Sequence, residues 1–219
     1  MAPTIATELA ILPLLPEVDL ATHGSEGHTV ITHMIATLSE QKGYLGIHFG
    51  RQHESPDDLV LAIDWDSIKS HKEFEKTEAY LPFVQEIATI MSKRSPPILH
   101  VEFRAPMATA AVAPITEMFT SYFPNDVDQS NVETTLVEFV QNLGRNAKGC
   151  VAYTAGWIVE QLEHEKIEGK ARAYVIAIGW ESLEAHMAYR DTQTFKNDIV
   201  NVRAVAKALT MYHVEFSKA

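Results

Sequence analysis

Residues 59–77 and 174–192 carry one pattern twice. The first copy reads LVLAIDWDSIKSHKEFEKT and the second YVIAIGWESLEAHMAYRDT, identical at seven of nineteen positions, including the Trp, Ser and His of a W-x-S-x-x-x-H motif. Each copy then runs through an apolar helical stretch to an identical HVEF, His100–Phe103 and His213–Phe216. A repeat of roughly 110 residues is too long for a solenoid unit, so it implies two domain-sized halves. We place them at residues 1–104 and 105–219.

The match extends upstream. Lys42-Gly43, Gly50 and Glu54 answer Lys148-Gly149, Gly156 and Glu160 at one constant offset. The second copy then has a longer connection, Gln161–Arg172, where a hairpin loop tolerates insertion. Thr7–Leu15 and Thr116–Phe123 read as first strands. Gly27–Gln41 and Gln129–Leu143 read as amphipathic helices, with apolar residues spaced about four apart. Leu45–Gln52 and Val151–Glu160 are second strands. Leu59–Trp65 and Ala171–Trp180 are third strands, apolar on both faces and therefore covered on both. Ser67 and Ser182 are N-cap candidates for second helices running to about Met91 and Leu209, and HVEF supplies the fourth strands. The order is βαββαβ twice, an α+β fold of two ferredoxin-like halves fused in tandem. One such half leaves a sheet face bare, so the economical expectation is that the two sheets pack together as an eight-stranded barrel inside one polypeptide.

Composition narrows the partners. A net charge of −11 without a Lys/Arg cluster argues against nucleic acid and anionic membranes. The single cysteine, Cys150, permits no intramolecular disulfide and suits a reducing compartment. The apolar run Leu9–Leu15 lacks a basic leader, is interrupted by Pro13 and is far short of a membrane span, so a cytoplasmic protein is expected.

The W-x-S-x-x-x-H turn after a hydrophobic strand, set inside βαββαβ, resembles the antibiotic-biosynthesis-monooxygenase-like (ABM) domains of the dimeric α/β-barrel superfamily. The chain looks like a tandem version with the dimer fused into one polypeptide. The resemblance covers nearly all of both halves outside the termini and the linker Arg104–Pro114. It implies the fold more strongly than an activity, because the superfamily includes cofactor-free oxygenases of polyphenols, haem degraders, polyketide cyclases and isomerases. Haem breakdown in that superfamily leans on a first-strand Asn, which neither first strand here contains. It also leans on a His further along the helix, where this chain has Glu75 and Arg190 one turn beyond His71 and His186.

The individual residues carry the functional argument. Trp65 and Trp180 end the third strands, as clamps between helix and sheet or as an aromatic cavity wall. His71 and His186 share helix faces with Ile68/Phe74 and Leu183/Tyr189, where an imidazole is more often a packing residue than a catalyst. His100 and His213 share a strand face with Glu102 and Glu215, which on a lumenal face would make a base and its orienter. The halves differ along the second strand. LGIHFGRQH holds His48, Arg51 and His53 where VAYTAGWIVE has Thr154, Trp157 and Val159. His48 shares a face with Gly46, Gly50 and Gln52, which leave room beside an imidazole that titrates near neutrality, and a solvent-facing His48 is the competing account.

The first half is therefore expected to hold a cavity with His48 as general base and His100 or His71 in support. Trp65, Arg51, Tyr44, Tyr80 and Phe49 would contact the substrate. A second half with Trp157 and Tyr153 is expected to be filled or purely apolar. No His–carboxylate pair has the compact spacing of a metal site, and no cofactor is called for. Two functions remain. One is an enzyme acting by acid–base chemistry on a small aromatic or polyketide-like molecule, through cofactor-independent oxygenation, cyclisation or cleavage. The other is a non-catalytic ligand-binding or stress-associated barrel packed solid. A cavity of about 300 Å³ or more separates them. Pairing into a homodimer is left open.

Overall fold

The alternation and repeat signals resolve into two units. The computed structural model describes residues 5–92 and 98–218, divided into Met1–His100 with Ser217–Ala219 and Val101–Phe216. The first unit runs β1 (Ala6–Pro13), α1 (Glu26–Ser39), β2 (Tyr44–Arg51), β3 (Asp58–Trp65), α2 (Ile68–Phe74), α3 (Tyr80–Ala88) and the start of β4 (Ile98–Phe103), whose last three residues belong to the second unit. After a short helix α4 (Ala108–Ala111), the second runs β5 (Ile115–Pro124), α5 (Gln129–Asn146), β6 (Cys150–Ile158), β7 (Leu162–His164), β8 (Ile167–Trp180), α6 (Leu183–Arg190), α7 (Gln193–Val205) and β9 (Ala208–Val214). Strand order is β2-β3-β1-β4 in one and β6-β8-β5-β9 in the other. Each is the ferredoxin-like order the sequence predicts. A two-residue strand, β10 (Ser217–Lys218), joins the edge of β2 at Phe49 and His48. The division into units falls after His100, where Val101–Phe103 ladder onto β6.

Local chemistry accounts for the element ends. Ser67 accepts from Ser70 N and Ser182 from Ala185 N, the N-caps expected for α2 and α6. Gly43 and Gly149 close the turns after the first helices at φ 87° and 84°. A Cβ at Gly43 would stand 2.5 Å from the Ser70 Cβ, so glycine is required twice over.

Three expectations change. Each second helix is two helices, broken where Thr77 Oγ1 donates to Phe74 O and Thr192 Oγ1 donates to Tyr189 O. Such local side-chain bonds compete with the helical ladder. The last helix also stops at Val205, and Leu209 lies in β9 because Ala208 already pairs with Tyr122. The insertion at Gln161–Arg172 is not a bare loop but a hairpin, β7 against β8. Leu59–Trp65 is buried throughout, as an all-apolar strand covered on both faces should be. Among the described residues no helix is long and apolar enough to cross a membrane.

Candidate active site

Strand alternation puts Glu8, Ala10 and Leu12 on one face of β1, with Glu8 opposite Ile63 and Ala10 opposite Leu61. That face carries the helices. Between sheet and helices lies a cavity of about 480 Å³, reaching from Glu8 and His71 to Tyr80, Phe83 and Met91. Its wall is otherwise almost entirely hydrocarbon.

Four buried groups converge on its polar end. Trp65 Nε1–H donates to Glu8 Oε2 at 2.9 Å, and His71 Nε2 lies 3.3 Å from the same oxygen. On its other side His71 Nδ1 is 2.7 Å from His100 Nε2, a bond that holds one proton between two nitrogens. The His71 ring stacks on Trp65 with centroids 5.2 Å apart. Glu75 Oε1, one turn on, stands 3.6 Å from His71 Nε2. Burial pushes the Glu8 carboxyl up to about 7, against the opposing pull of the Trp65 N–H and the His100 charge. The site therefore holds a carboxyl that can exchange a proton near neutrality, backed by two imidazoles in series.

The structure brings together Trp65, His71 and His100 from the sequence-predicted set, and it adds Tyr80 on the cavity wall. Burial raises the Tyr80 phenol above its ordinary value. Phe49 packs half-buried on the helix-side core, and Tyr44 meets Trp65 edge-on at 6.2 Å. Arg51 is turned to backbone, donating to Val18 O and Pro56 O. His48 is placed differently from expectation. Ile47 is fully buried on the helix side, so the next residue, opposite Ala62, projects from the other face and does not line the cavity. Its imidazole is buried with both nitrogens unpartnered, and burial with the nearby Lys218 lowers its pKa. The glycines beside it do leave space by alternation, but the cavity opens on the opposite side of the sheet.

The residue that sequence reading missed is Glu8. A signal existed: Thr-Glu recurs in both first strands, Thr7-Glu8 and Thr116-Glu117, a charge kept at one place in an apolar run.

Residues 23–86 match the family model described as Antibiotic biosynthesis monooxygenase (ABM). In fold the whole chain is similar to a solved anthrone oxidase-like protein, with a TM-score of 0.67 and 16% identity over 98% of this chain and 92% of that one. It is similar also to a candidate monooxygenase from Lactobacillus acidophilus NCFM, with a TM-score of 0.60 and 13% identity over 99% and 96% of the two chains. The match to the ABM model lies within the first half, and the whole chain shares the fold of both solved structures. No curated protein matches it in sequence.

The second half repeats the constellation atom for atom. Trp180 Nε1–H donates to Glu117 Oε2 at 3.1 Å, His186 Nε2 lies 3.3 Å from that oxygen, and His186 Nδ1 lies 2.7 Å from His213 Nε2. The adjoining cavity is smaller, about 210 Å³. It is neither filled nor purely apolar, contrary to the expectation from Trp157 and Tyr153, since Glu117, His186, Arg190 and Arg203 line it. Trp157 packs instead on Tyr174 and Phe123. Part of the shrinkage has a specific source. Phe119, opposite Ile176, occupies the place that Ala10, opposite Leu61, holds in the first half.

Proposed function

We propose that the first half of this protein is an enzyme site for a flat, multi-ring aromatic or polyketide-like molecule, with Glu8 as the group that takes the substrate proton. The observation that carries this reading is the cavity of about 480 Å³ that ends on a carboxyl titrating near 7. A void of about 150 Å³ holds one benzene ring, so this one suits roughly three rings. It also exceeds the volume below which a solid-core reading would stand.

The chemistry follows from the geometry. A phenol or a doubly activated ring C–H placed against Glu8 loses its proton to a carboxylate whose affinity for it burial has raised. The proton can pass on to His71, 3.3 Å from Glu8 Oε2, and the His71–His100 bond shifts its own proton in response. The resulting carbanion or phenolate is held in largely hydrocarbon surroundings, where Tyr80 offers a donor. An electron-rich anion of this kind can deliver electrons to molecular oxygen without a cofactor. The likeness to a structure called anthrone oxidase-like makes anthrones the first substrates to try. The family description adds oxygenation to the candidate reactions.

The test is a thermal-shift screen of anthrones, quinones and hydroxylated aromatics, followed by oxygen-uptake assays on each binder. A ligand at ~100 times its Kd stabilises by roughly 2.7 kcal/mol, about 2–4 °C in a chain of this size. Turnover that Glu8→Gln removes while ligand binding persists supports the reading. Turnover unchanged in Glu8→Gln sinks the assignment of the base, and no shift across the panel sinks the substrate class.

A further inference from the structure

The two cavities differ in charge as well as size. Two positions that are acidic or apolar in the first half are arginine in the second. Glu75, four residues past His71, is answered by Arg190, four residues past His186. Ala88, on the wall of the large cavity, is answered by Arg203 on the wall of the small one. The correspondence is secured by the register of β1/β3 and β5/β8 and by the equal spacing from Phe74 to Tyr80 and from Tyr189 to Phe195. Among the described residues no lysine or arginine lines the large cavity, whereas two guanidiniums stand on the small one.

Neither guanidinium is neutralised. Among the described residues Arg190 meets only the Met187 sulfur, at 4.0 Å, and no carboxylate pairs with Arg203. Arg203 is exposed and Arg190 half-buried, which places the pair where the cavity meets solvent. The one carboxylate on the wall, Glu117, is already engaged by the Trp180 N–H and approached by His186. Deeper in, Phe119, Phe139, Ile178 and Phe195 make an apolar floor. An apolar floor under two unpaired guanidiniums matches a molecule with one hydrophobic end and one carboxylate, because arginine presents paired donors to the two carboxylate oxygens. At about 210 Å³ the void admits about a single ring or a short acyl chain.

We infer that the second half is a separate binding site for a small monocarboxylic acid, aromatic or short-chain aliphatic, held by Arg190 and Arg203. This site is independent of the chemistry assigned to the first half. It would let one polypeptide carry an uncharged multi-ring ligand and a small acid at once.

The experiment titrates the whole chain with benzoate and hexanoate, and with benzamide as the neutral counterpart of benzoate, by calorimetry and by 19F NMR of 5-fluorotryptophan-labelled protein. The resonance of Trp180, assigned through Trp180→Phe, reports the second half, and that of Trp65 the first. Saturable binding of either acid that shifts Trp180 and not Trp65, with benzamide at least tenfold weaker, is the expected result. Arg190→Gln and Arg203→Gln should each weaken the acid tenfold or more with melting behaviour unchanged. Equal binding of benzoate and benzamide, retention of affinity in the double variant, a shift at Trp65 alone, or no binding at 10 mM would each overturn the assignment.

Discussion

The two halves share a buried constellation and differ in the space beside it. Glu8–Trp65–His71–His100 and Glu117–Trp180–His186–His213 agree to within 0.2 Å in each of their three contacts, yet their cavities are about 480 and 210 Å³. A network kept in both copies is what the fold needs where the third strand turns into the helix, because a buried indole N–H and two buried imidazoles must all find partners. What one copy does with that network is then decided by neighbours. One exchange, Ala10 against Phe119, takes part of the room for a large ligand. Two more, Glu75 against Arg190 and Ala88 against Arg203, put two guanidiniums on the wall of the small cavity. Duplication keeps the costly polar core and leaves the cheap wall positions free to diverge.

The sharpest way to break this comparison is to remove the same carboxyl from each half. Glu8→Gln should lower kcat by about 10²–10⁴-fold, the range for loss of a positioned base, while Glu117→Gln leaves it unchanged. Loss in both variants would mean that the halves act together. On stability, the halves should instead behave alike. Trp65 and Trp180 are both completely buried, and Trp65→Ala and Trp180→Ala should each cost about 3–5 kcal/mol in urea unfolding. A large inequality would show that the shared network supports only one half.

The Glu8 carboxyl also leaves a signature in the pH dependence of folding. Its folded value, about 7, exceeds the ordinary 4.5, so the folded state holds the proton more tightly than the unfolded one. Stability should therefore fall as pH rises from about 4.5 to about 7, by up to roughly 3 kcal/mol, and level off above. In Glu8→Gln this part of the slope should vanish. Gly43→Ala and Gly149→Ala put a side chain at positive φ against Ser70 and Ala185, and each should cost about 1–3 kcal/mol by denaturant titration. The smallest effect belongs to His48. Because its ring nitrogens have no partners, His48→Leu should change stability by less than about 1 kcal/mol and leave turnover in place. Loss of turnover in that variant would move the chemistry to the other face of the sheet.

How far the sequence could be read depended on the range of each signal. The repeat and the Ser67 and Ser182 caps are read from short stretches of sequence, and both appear where they were expected. The break at Thr77 and Thr192 was present as an identical repeat position, but a hydroxyl bonding back to its own helix has no periodic signature. His71 and His100 were visible as candidates. That they touch was not, since they lie 29 residues apart. Glu8, 57 residues from Trp65, was hidden because a lone acid in an apolar strand reads as an interruption until its partners are known.

By itself, then, the sequence determined two α+β halves of βαββαβ order and the indoles and imidazoles common to both. Period-two alternation says which residues of a strand share a face, and repetition says which positions correspond. Only the tertiary structure decided which face the helices cover, and with it that Glu8 rather than His48 meets the cavity. It also decided the volumes, because a void is what remains after side chains from distant strands and helices have been packed, and no single segment contains it.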